Sequence, residues 1–266
     1  MRAKACAVLL VSASLAACAA PSTEKSPSHL APMTAEKVNR IIRADVIPYS
    51  GQAHGEVIGR VSSAFLGTPY KADTLIGGPD TPEVLVADLN NVDCFTLIDY
   101  VEALARSHDE KSFLHNLKDV RYIDGKVDYL SRRHFFSDWF ATPTPNARDI
   151  TPTISPDYLV SEKRLNRKAD GSEYIQGLGI HPRKINFIPA NAITSQVLDQ
   201  LKTGDYVGVY SPLDGLDVSH VGIVIRKDGD VFFRNASSLA AKRKVVDSPL
   251  LEYMRTKPGI VVLRAQ

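Results

Sequence analysis

Read as apolar and polar positions, the chain has a helical first half and a strand-rich last third. From Cys94 the apolar residues Leu97, Ile98, Val101, Leu104 and Ala105 recur at i, i+3, i+4 and i+7, the period of a helix with one buried face. Asp93 stands where that helix needs an N-cap, and Asp is among the best residues there. Leu89-Asn90-Asn91 before it reads as a turn. Val38, Ile41 and Ile42 predict a helix opening near Thr34, and Val57, Ile58, Val61 and Phe65 predict a second over 55–65. The second stops at Gly67-Thr68-Pro69-Tyr70, where Gly and Pro punctuate the chain. The stretch 75–79 reads as a flexible turn, and 83–89 as a short strand leading to Asp93.

The pattern weakens between residues 109 and 189. Asp124-Gly125 predicts a tight turn. The Pro- and Thr-rich stretch 142–157 predicts a long surface loop, and the highly charged stretch 161–171 a solvated helix. Residues 131–139, Ser-Arg-Arg-His-Phe-Phe-Ser-Asp-Trp, crowd cations, a histidine and aromatics together. They read either as a substrate wall, with Arg for carboxylates and aromatic faces for a sugar or peptide, or as a buried aromatic cluster edged by solvated arginines.

Strands are predicted at 206–210, 218–225, 231–236 and 260–263 from their β-branched and aromatic content, with Asp228-Gly229 as a hairpin turn. If Asp228 and Gly229 are the two loop residues, Lys227 faces Asp230 and, counting back, His220 faces Ser237. Asn235 is then a diagonal neighbour of His220 on the same face, about 7–8 Å away at the backbone. That apposition supplies an imidazole and an amide able to fix its tautomer. Ser237 or Asp217 are alternatives to Asn235, and a bulge at the turn would undo the pairing.

Charge and cysteine count narrow the chemistry. A net charge of +2 over 266 residues argues against a dedicated nucleic-acid binder, which would carry a basic stripe. Arg2 and Lys4 precede a short apolar and small-residue run, 5–17, that ends in Leu15-Ala16-Ala17-Cys18. This resembles a bacterial lipoprotein signal, with Cys18 lipidated as the first mature residue; an ordinary signal peptide is the alternative. The expected organisation is a signal at 1–17, a Pro/Ser-rich linker at 18–33 and one domain over 34–266. The lipid would hold the protein at a membrane surface, the outer membrane facing the periplasm in a Gram-negative cell. Of the three cysteines, Cys6 leaves with the signal and Cys18 carries the lipid. Cys94 is then a lone thiol in an oxidising compartment, which marks it as a candidate reactive thiol. Its place in the first turn of a helix favours the thiolate. The bland alternative is a buried structural cysteine. No His or Cys spacing suggests a metal site, and no cofactor is implied.

Gly67-Thr68-Pro69-Tyr70, Asp93-Cys94 and Ser219-His220-Val221-Gly222-Ile223, in that order, resemble the NlpC-type papain-like cysteine hydrolases of bacterial cell walls. The Tyr-x-Ala-x-Thr-Leu pattern at 70–75, the 131–139 stretch and Gly-Leu-Asp-Val-Ser-His at 215–220 resemble more closely the N-acetylmuramoyl-L-alanine amidase-like branch. The resemblance implies an α+β fold, a papain-like core in which a nucleophile helix packs on an antiparallel sheet, with inserted helices and loops. It implies Cys94 as nucleophile, His220 as general base and Asn235 as the orienting residue. Tyr70 would border the site, with Arg132, His134, Asp214 and Asp217 as pocket candidates. The substrate would be an amide in peptidoglycan or muropeptides, most simply the N-acetylmuramoyl-L-alanine bond. In the common NlpC pattern the cysteine follows Pro-Tyr closely and Ser follows it; here residues 71–92 intervene and Phe95 follows. A γ-D-glutamyl endopeptidase, a non-catalytic peptidoglycan-binding lipoprotein and an acyltransferase are the competing readings.

Overall fold

Asp93 begins the central element. Its carboxylate Oδ1 accepts the Thr96 N–H at 2.7 Å, and Thr96 Oγ1 accepts the Asp93 N–H at 2.9 Å, a reciprocal cap that satisfies two of the free amides at a helix start. The helix that follows, Cys94–Ala105, has Leu97, Ile98, Tyr100, Val101, Ala103 and Leu104 wholly shielded from solvent. Burying side chains of this size contributes about 1.5–3 kcal/mol each, so the helix is a core element packed on several sides. Its polar residues inside the core are paired. Asp99 takes the Arg121 guanidinium at 2.8 Å, and Glu102 takes His54 at 3.0 Å, Arg106 at 2.6 Å and the Tyr206 hydroxyl at 2.5 Å.

The computed structural model describes residues 28–31 and 33–266. The strands are β1 (Ser28–Leu30), β2 (Ile76–Gly78), β3 (Thr81–Ala87), β4 (Ala147–Asp149), β5 (Leu159–Leu165), β6 (His181–Pro189), β7 (Tyr206–Tyr210), β8 (Val218–Lys227), β9 (Asp230–Ala236), β10 (Val245–Pro249) and β11 (Gly259–Ala265). The longer helices are α1 (Thr34–Ile41), α2 (His54–Ser63), α3 (Cys94–Ala105) and α4 (Glu110–Arg121). One-turn helices Asp138–Ala141 and Thr151–Ile154 follow, then Ser195–Gln200 and Leu250–Met254. An antiparallel sheet runs β10-β9-β8-β7-β11-β6-β5, with β4 on the far end of β11. A small sheet, β1-β3-β2, lies apart from it.

The large sheet is buried on both faces, and side chains of one strand alternate between two cores. Tyr206, Tyr210, Val221, Ile223, Val261 and Leu263 face the core shared with α3. Val207, Val209, Val224, Ile260 and Val262 face the opposite core, closed by Val197, Leu250 and Met254. That explains why these strands read as continuous apolar runs. The architecture is therefore α+β, with helices packed on an antiparallel sheet. Among the described residues no helix is long and apolar enough to cross a membrane.

Several expectations require correction. The stretch 161–171 begins as the strand β5, paired with β6 from Leu159↔Phe187 to Leu165↔His181. Its charges alternate with buried positions, Lys163 and Leu165 inward and Glu162 and Arg164 outward. The Lys163 ammonium is satisfied by the carbonyls of Ser211 and Leu213 at 2.7 and 2.8 Å. The stretch 142–157 is no surface loop: Asn146, Ala147, Ile150, Thr151 and Ile154 are buried, and β4 pairs with β11. Residues 76–78, expected as a turn, pair with β3. Ser28–Leu30, assigned to the linker by composition, runs parallel to β3. The signal and Cys18 lie outside the described residues.

Candidate active site

The β8–β9 hairpin brings the first two site residues together. Asp228 and Gly229 both have positive φ, +54° and +86°, the primed turn that Asp-Gly favours. The register runs Lys227↔Asp230 to Ile223↔Arg234, as the turn dictates. On its other edge β8 is irregular: Val209 pairs with His220 and Tyr210 with Val218, so Ser219 is an extra residue beside the histidine. Such bulges re-aim side chains next to sites. The His220 ring lies against Phe233 and Tyr253, with Nε2 3.0 Å from Asn235 Oδ1.

The protonation of that pair follows from the network. Asn235 is buried, and its Nδ2 donates to the Phe233 carbonyl at 3.1 Å, which assigns Oδ1 to the histidine. An amide oxygen only accepts, so Nε2 carries the proton and Nδ1 keeps its lone pair. Burial pushes the imidazole below its ordinary pKa, as does Lys257, against the opposite pull of Asn235 and Asp93. His220 is thus a neutral base with a fixed tautomer.

Cys94 stands at the first turn of α3, half-buried. His220 and Cys94 line the same small cavity, about 110 Å³, with Phe95, His134, Phe136 and Asp217. The expectation of a resting thiolate is overturned. Burial, and then the neighbouring Asp93 charge, push the Cys94 thiol up to about 12, outweighing the amides of Val221, Cys94 and Phe95 that pull it down. The helix start does favour negative charge, but desolvation and the capping carboxylate win. The site holds a protonated thiol beside a neutral imidazole.

The other candidates divide. Tyr70 is held by its N–H to the Arg243 carbonyl at 2.9 Å, with the Arg243 guanidinium 4.9 Å from its ring. Burial raises the phenol pKa, and so do Cys94 and Asp93 beside it, so it borders the thiol as a neutral hydroxyl. His134 lines the cavity; its Nε2 donates to the Tyr129 carbonyl at 2.7 Å, and burial keeps it neutral. Asp217 is buried, and its two oxygens are taken by the amides of Ser137 at 2.6 Å and Val218 at 2.7 Å. It organises the wall more than it faces a ligand. Arg132 does not line the cavity and forms a two-pronged ion pair with Glu83, at 2.7 and 2.6 Å. Asp214 pairs with Arg164 at 2.7 Å, outside the cavity. Tyr253, which the sequence reading missed, lies over the His220 ring, and its phenol is raised first by burial and then by Cys94. It sits on a one-turn helix with no motif to mark it.

A buried α3 whose first residue lines one cavity with a sheet-borne imidazole describes an α+β fold with a cysteine–histidine site, and comparison with known proteins supplies the family. The chain belongs to the AmiA-like family, described as N-acetylmuramoyl-L-alanine amidase-like, whose model matches residues 60–260. It is similar to the crystal structure of an N-acetylmuramoyl-L-alanine amidase from Bacteroides uniformis, with 30% identity and a TM-score of 0.66 over 80% of this chain and 99% of that one. A protein from Legionella pneumophila, 22% identical, shares the fold with a TM-score of 0.73 over 88% of this chain and 94% of that one. No curated protein sequence matches the chain.

Proposed function

We propose that this protein is a cysteine-dependent amidase that hydrolyses an amide in peptidoglycan or its muropeptide fragments, the bond between N-acetylmuramic acid and L-alanine. One observation carries the reading: Asn235 holds His220 as the Nε2–H tautomer, leaving Nδ1 basic in the cavity it shares with the Cys94 thiol. A Cys-His-Asn set of this kind is the papain-like arrangement, and membership of the amidase-like family supports the substrate class.

In this mechanism the Sγ proton passes to His220 Nδ1 as sulfur attacks the carbonyl carbon. Negative charge moves to the carbonyl oxygen, where the Cys94 N–H at the helix start can receive it. The imidazolium, stabilised by Asn235, then gives its proton to the L-alanine nitrogen. The C–N bond breaks, the stem peptide leaves with a free amine, and a thioester remains. Water, deprotonated by His220, attacks the thioester and releases the sugar acid and the thiol. The uncharged resting pair fits this order, because charge develops only as substrate is engaged.

The test is mass spectrometry of purified muropeptides incubated with the chain from Ala19 onward, with Cys94→Ala as control. Release of a stem peptide with an N-terminal L-alanine, in the unsubstituted protein only, is the expected result. Cleavage after D-Glu would replace this reading by the endopeptidase one. Binding without any product would replace it by a non-catalytic peptidoglycan-binding lipoprotein.

The same proposal places the protein on a lipid at Cys18, tethered by the Pro/Ser-rich segment and facing the periplasm where the cell has two membranes. The Leu-Ala-Ala-Cys sequence after a short apolar run supports it. Labelled fatty acid incorporated by the native chain and not by Cys18→Ala is the expected outcome.

A further inference from the structure

Two cavities outside the one that holds Cys94 differ in charge. The larger, about 880 Å³, is lined by Asp80, Glu83 and Asp128, of which Glu83 is held by Arg132 at 2.6 Å and Asp128 lies 3.8 Å from the Lys126 ammonium. The smaller, about 270 Å³, is lined by Arg164, Arg167 and Lys168 against a single carboxylate, Asp214. Asp214 is spent on Arg164, at 2.7 Å. Among the described residues neither Arg167 nor Lys168 forms an ion pair; the Lys168 ammonium lies 5.6 Å from the Tyr174 ring, which also lines the cavity.

This basic cavity is built on a fixed frame. Buried Asn166, with φ +78°, donates to the carbonyls of Ile175 and Gly179 at 2.9 Å each and accepts the Ile175 N–H at 2.6 Å. Its own N–H donates to the Gly215 carbonyl at 2.9 Å, and the Arg164 N–H donates to the Asp214 carbonyl at 3.1 Å. Gly215 passes so close that a Cβ there would meet the Arg167 carbonyl oxygen at 2.0 Å. The wall is thus a sutured pair of segments, and the cations are presented from backbone that cannot easily withdraw.

One loop joins this cavity to the nucleophile. Asp214 and Gly215 line the basic cavity, while Leu216, Asp217 and Val218 line the cavity of Cys94. The two cavities therefore share a wall, a turn closed by the Leu216 N–H on the Leu213 carbonyl at 3.2 Å. In a peptidoglycan stem the free carboxylate nearest to the bond at L-alanine is the α-carboxylate of the γ-linked D-Glu.

We propose that Arg167 and Lys168 form a subsite for the D-Glu α-carboxylate of the stem peptide, which fixes the stem on the basic side of the Cys94 cavity. The inference rests on the amidase reading for the identity of the substrate. Arg offers a planar fork to a carboxylate and Lys a point charge, and a flexible ligand gains orientation from such a pair.

The experiment uses two synthetic probes, N-acetylmuramoyl-L-alanyl-D-glutamate and its α-amide, N-acetylmuramoyl-L-alanyl-D-isoglutamine. They differ in one charge. Binding to the full exported chain carrying Cys94→Ala is measured by calorimetry, and turnover is measured with the unsubstituted protein. The acid is expected to bind about tenfold more tightly than the amide, the scale of two partly exposed charge contacts. The preference should shrink at high salt. Arg167→Ala with Lys168→Ala should bring the acid-to-amide ratio near one, while Arg167→Lys with Lys168→Arg retains most of it. Retained binding of the amide reports that the variants are folded. Equal binding of acid and amide, or a preference that survives the double alanine substitution, overturns the subsite. If the preference is present and follows Arg167 and Lys168 but neither probe is hydrolysed, the amidase reading falls and the subsite stands.

Discussion

Asn235→Ala separates orientation of the base from the presence of the base. The side chain makes two hydrogen bonds, accepting from His220 Nε2 at 3.0 Å and donating to the Phe233 carbonyl at 3.1 Å. In the transition state the first becomes a bond to an imidazolium, and bonds to charged groups contribute about 1.5–3 kcal/mol. At about 1.4 kcal/mol per tenfold, removing it should lower kcat/KM by roughly 10- to 150-fold. The loss is partial because the ring keeps its contacts with Phe233 and Tyr253, at 5.9 and 6.4 Å between centroids. The bond to Asn235 also raises the His220 pKa, against the larger lowering by burial. Without it the imidazole titrates lower still, so the acid limb of kcat/KM against pH, which begins below the ordinary histidine value in the native protein, should move to lower pH while the plateau falls. That limb reports the macroscopic first deprotonation of the Cys94–His220 pair. Asn235→Asp places a carboxylate on the same nitrogen and should move the limb to higher pH. Initial rates of muropeptide hydrolysis across the acid range, with melting curves to correct for unfolding, measure both displacements. A plateau unchanged within twofold in Asn235→Ala, or limbs that move the same way in the two variants, refutes the assignment.

Cys94→Ala should abolish product formation while leaving the melting temperature within a few degrees, since Cys94 makes no ion pair among the described residues and alanine is the best helix former; residual turnover would remove the nucleophile from the mechanism. Asp93→Asn keeps a good cap but removes the like charge that, after burial, holds the thiol up near 12; the thiolate absorbance near 240 nm should appear at lower pH than in the native protein. Glu102, wholly buried, is pushed up by desolvation but pulled further down by His54, Arg106 and Tyr206, so its folded pKa lies below the unfolded one. Its contribution to stability is present above the unfolded carboxylate value near about 4.3 and lost as pH falls through the folded one; Glu102→Gln should flatten the acid limb of stability measured by urea unfolding. Asp99→Ala leaves the Arg121 guanidinium buried without its partner and should cost about 3–5 kcal/mol in the same assay.

The parts of this molecule that could be read from the sequence are those fixed by local rules. Period 3.6 and an Asp cap located α3 and its first residue, and the cap's partner, Thr96, stands three positions on. The Asp-Gly turn fixed a register that carries His220 to Asn235 without any knowledge of the remaining strands. What stayed hidden was set by distant partners. Residues 159–165 are a strand because β6 pairs with them and because the carbonyls of Ser211 and Leu213 accept a buried lysine; a count of charges sees only solvation. The proline-rich 142–157 stretch is buried because β11 offers it an edge. Arg132, placed by its residue type in a substrate wall, is held by Glu83 across the chain. Tyr253 reaches His220 from a one-turn helix that no periodicity announces.

The position of Cys94 shows how a motif can point to a residue without fixing that residue's protonation state. A helix start lowers a thiol pKa by offering amides and a dipole, effects of about 0.3–1 kcal/mol where solvent-exposed. The same helix must be capped, and the best caps carry or mimic a carboxylate. Asp93 does this with two bonds to Thr96, and its charge then acts on the next residue, on the side of the proton. Burial acts in the same direction on the thiol and in the opposite direction on the His220 pKa. Both shifts favour the uncharged pair, so forming Sγ⁻ and the imidazolium is costly for one common reason, the loss of water around each charge on burial. In the proposed amidase mechanism the carbonyl of a bound substrate would change that balance by giving the negative charge a new location on oxygen, beside the backbone amide of Cys94. On the proposed mechanism the wall of Phe95 and Phe136 and the acid cap hold the Cys94 thiol protonated at rest, and the Asn235-oriented imidazole and the helix start act on it once there is a bond to attack.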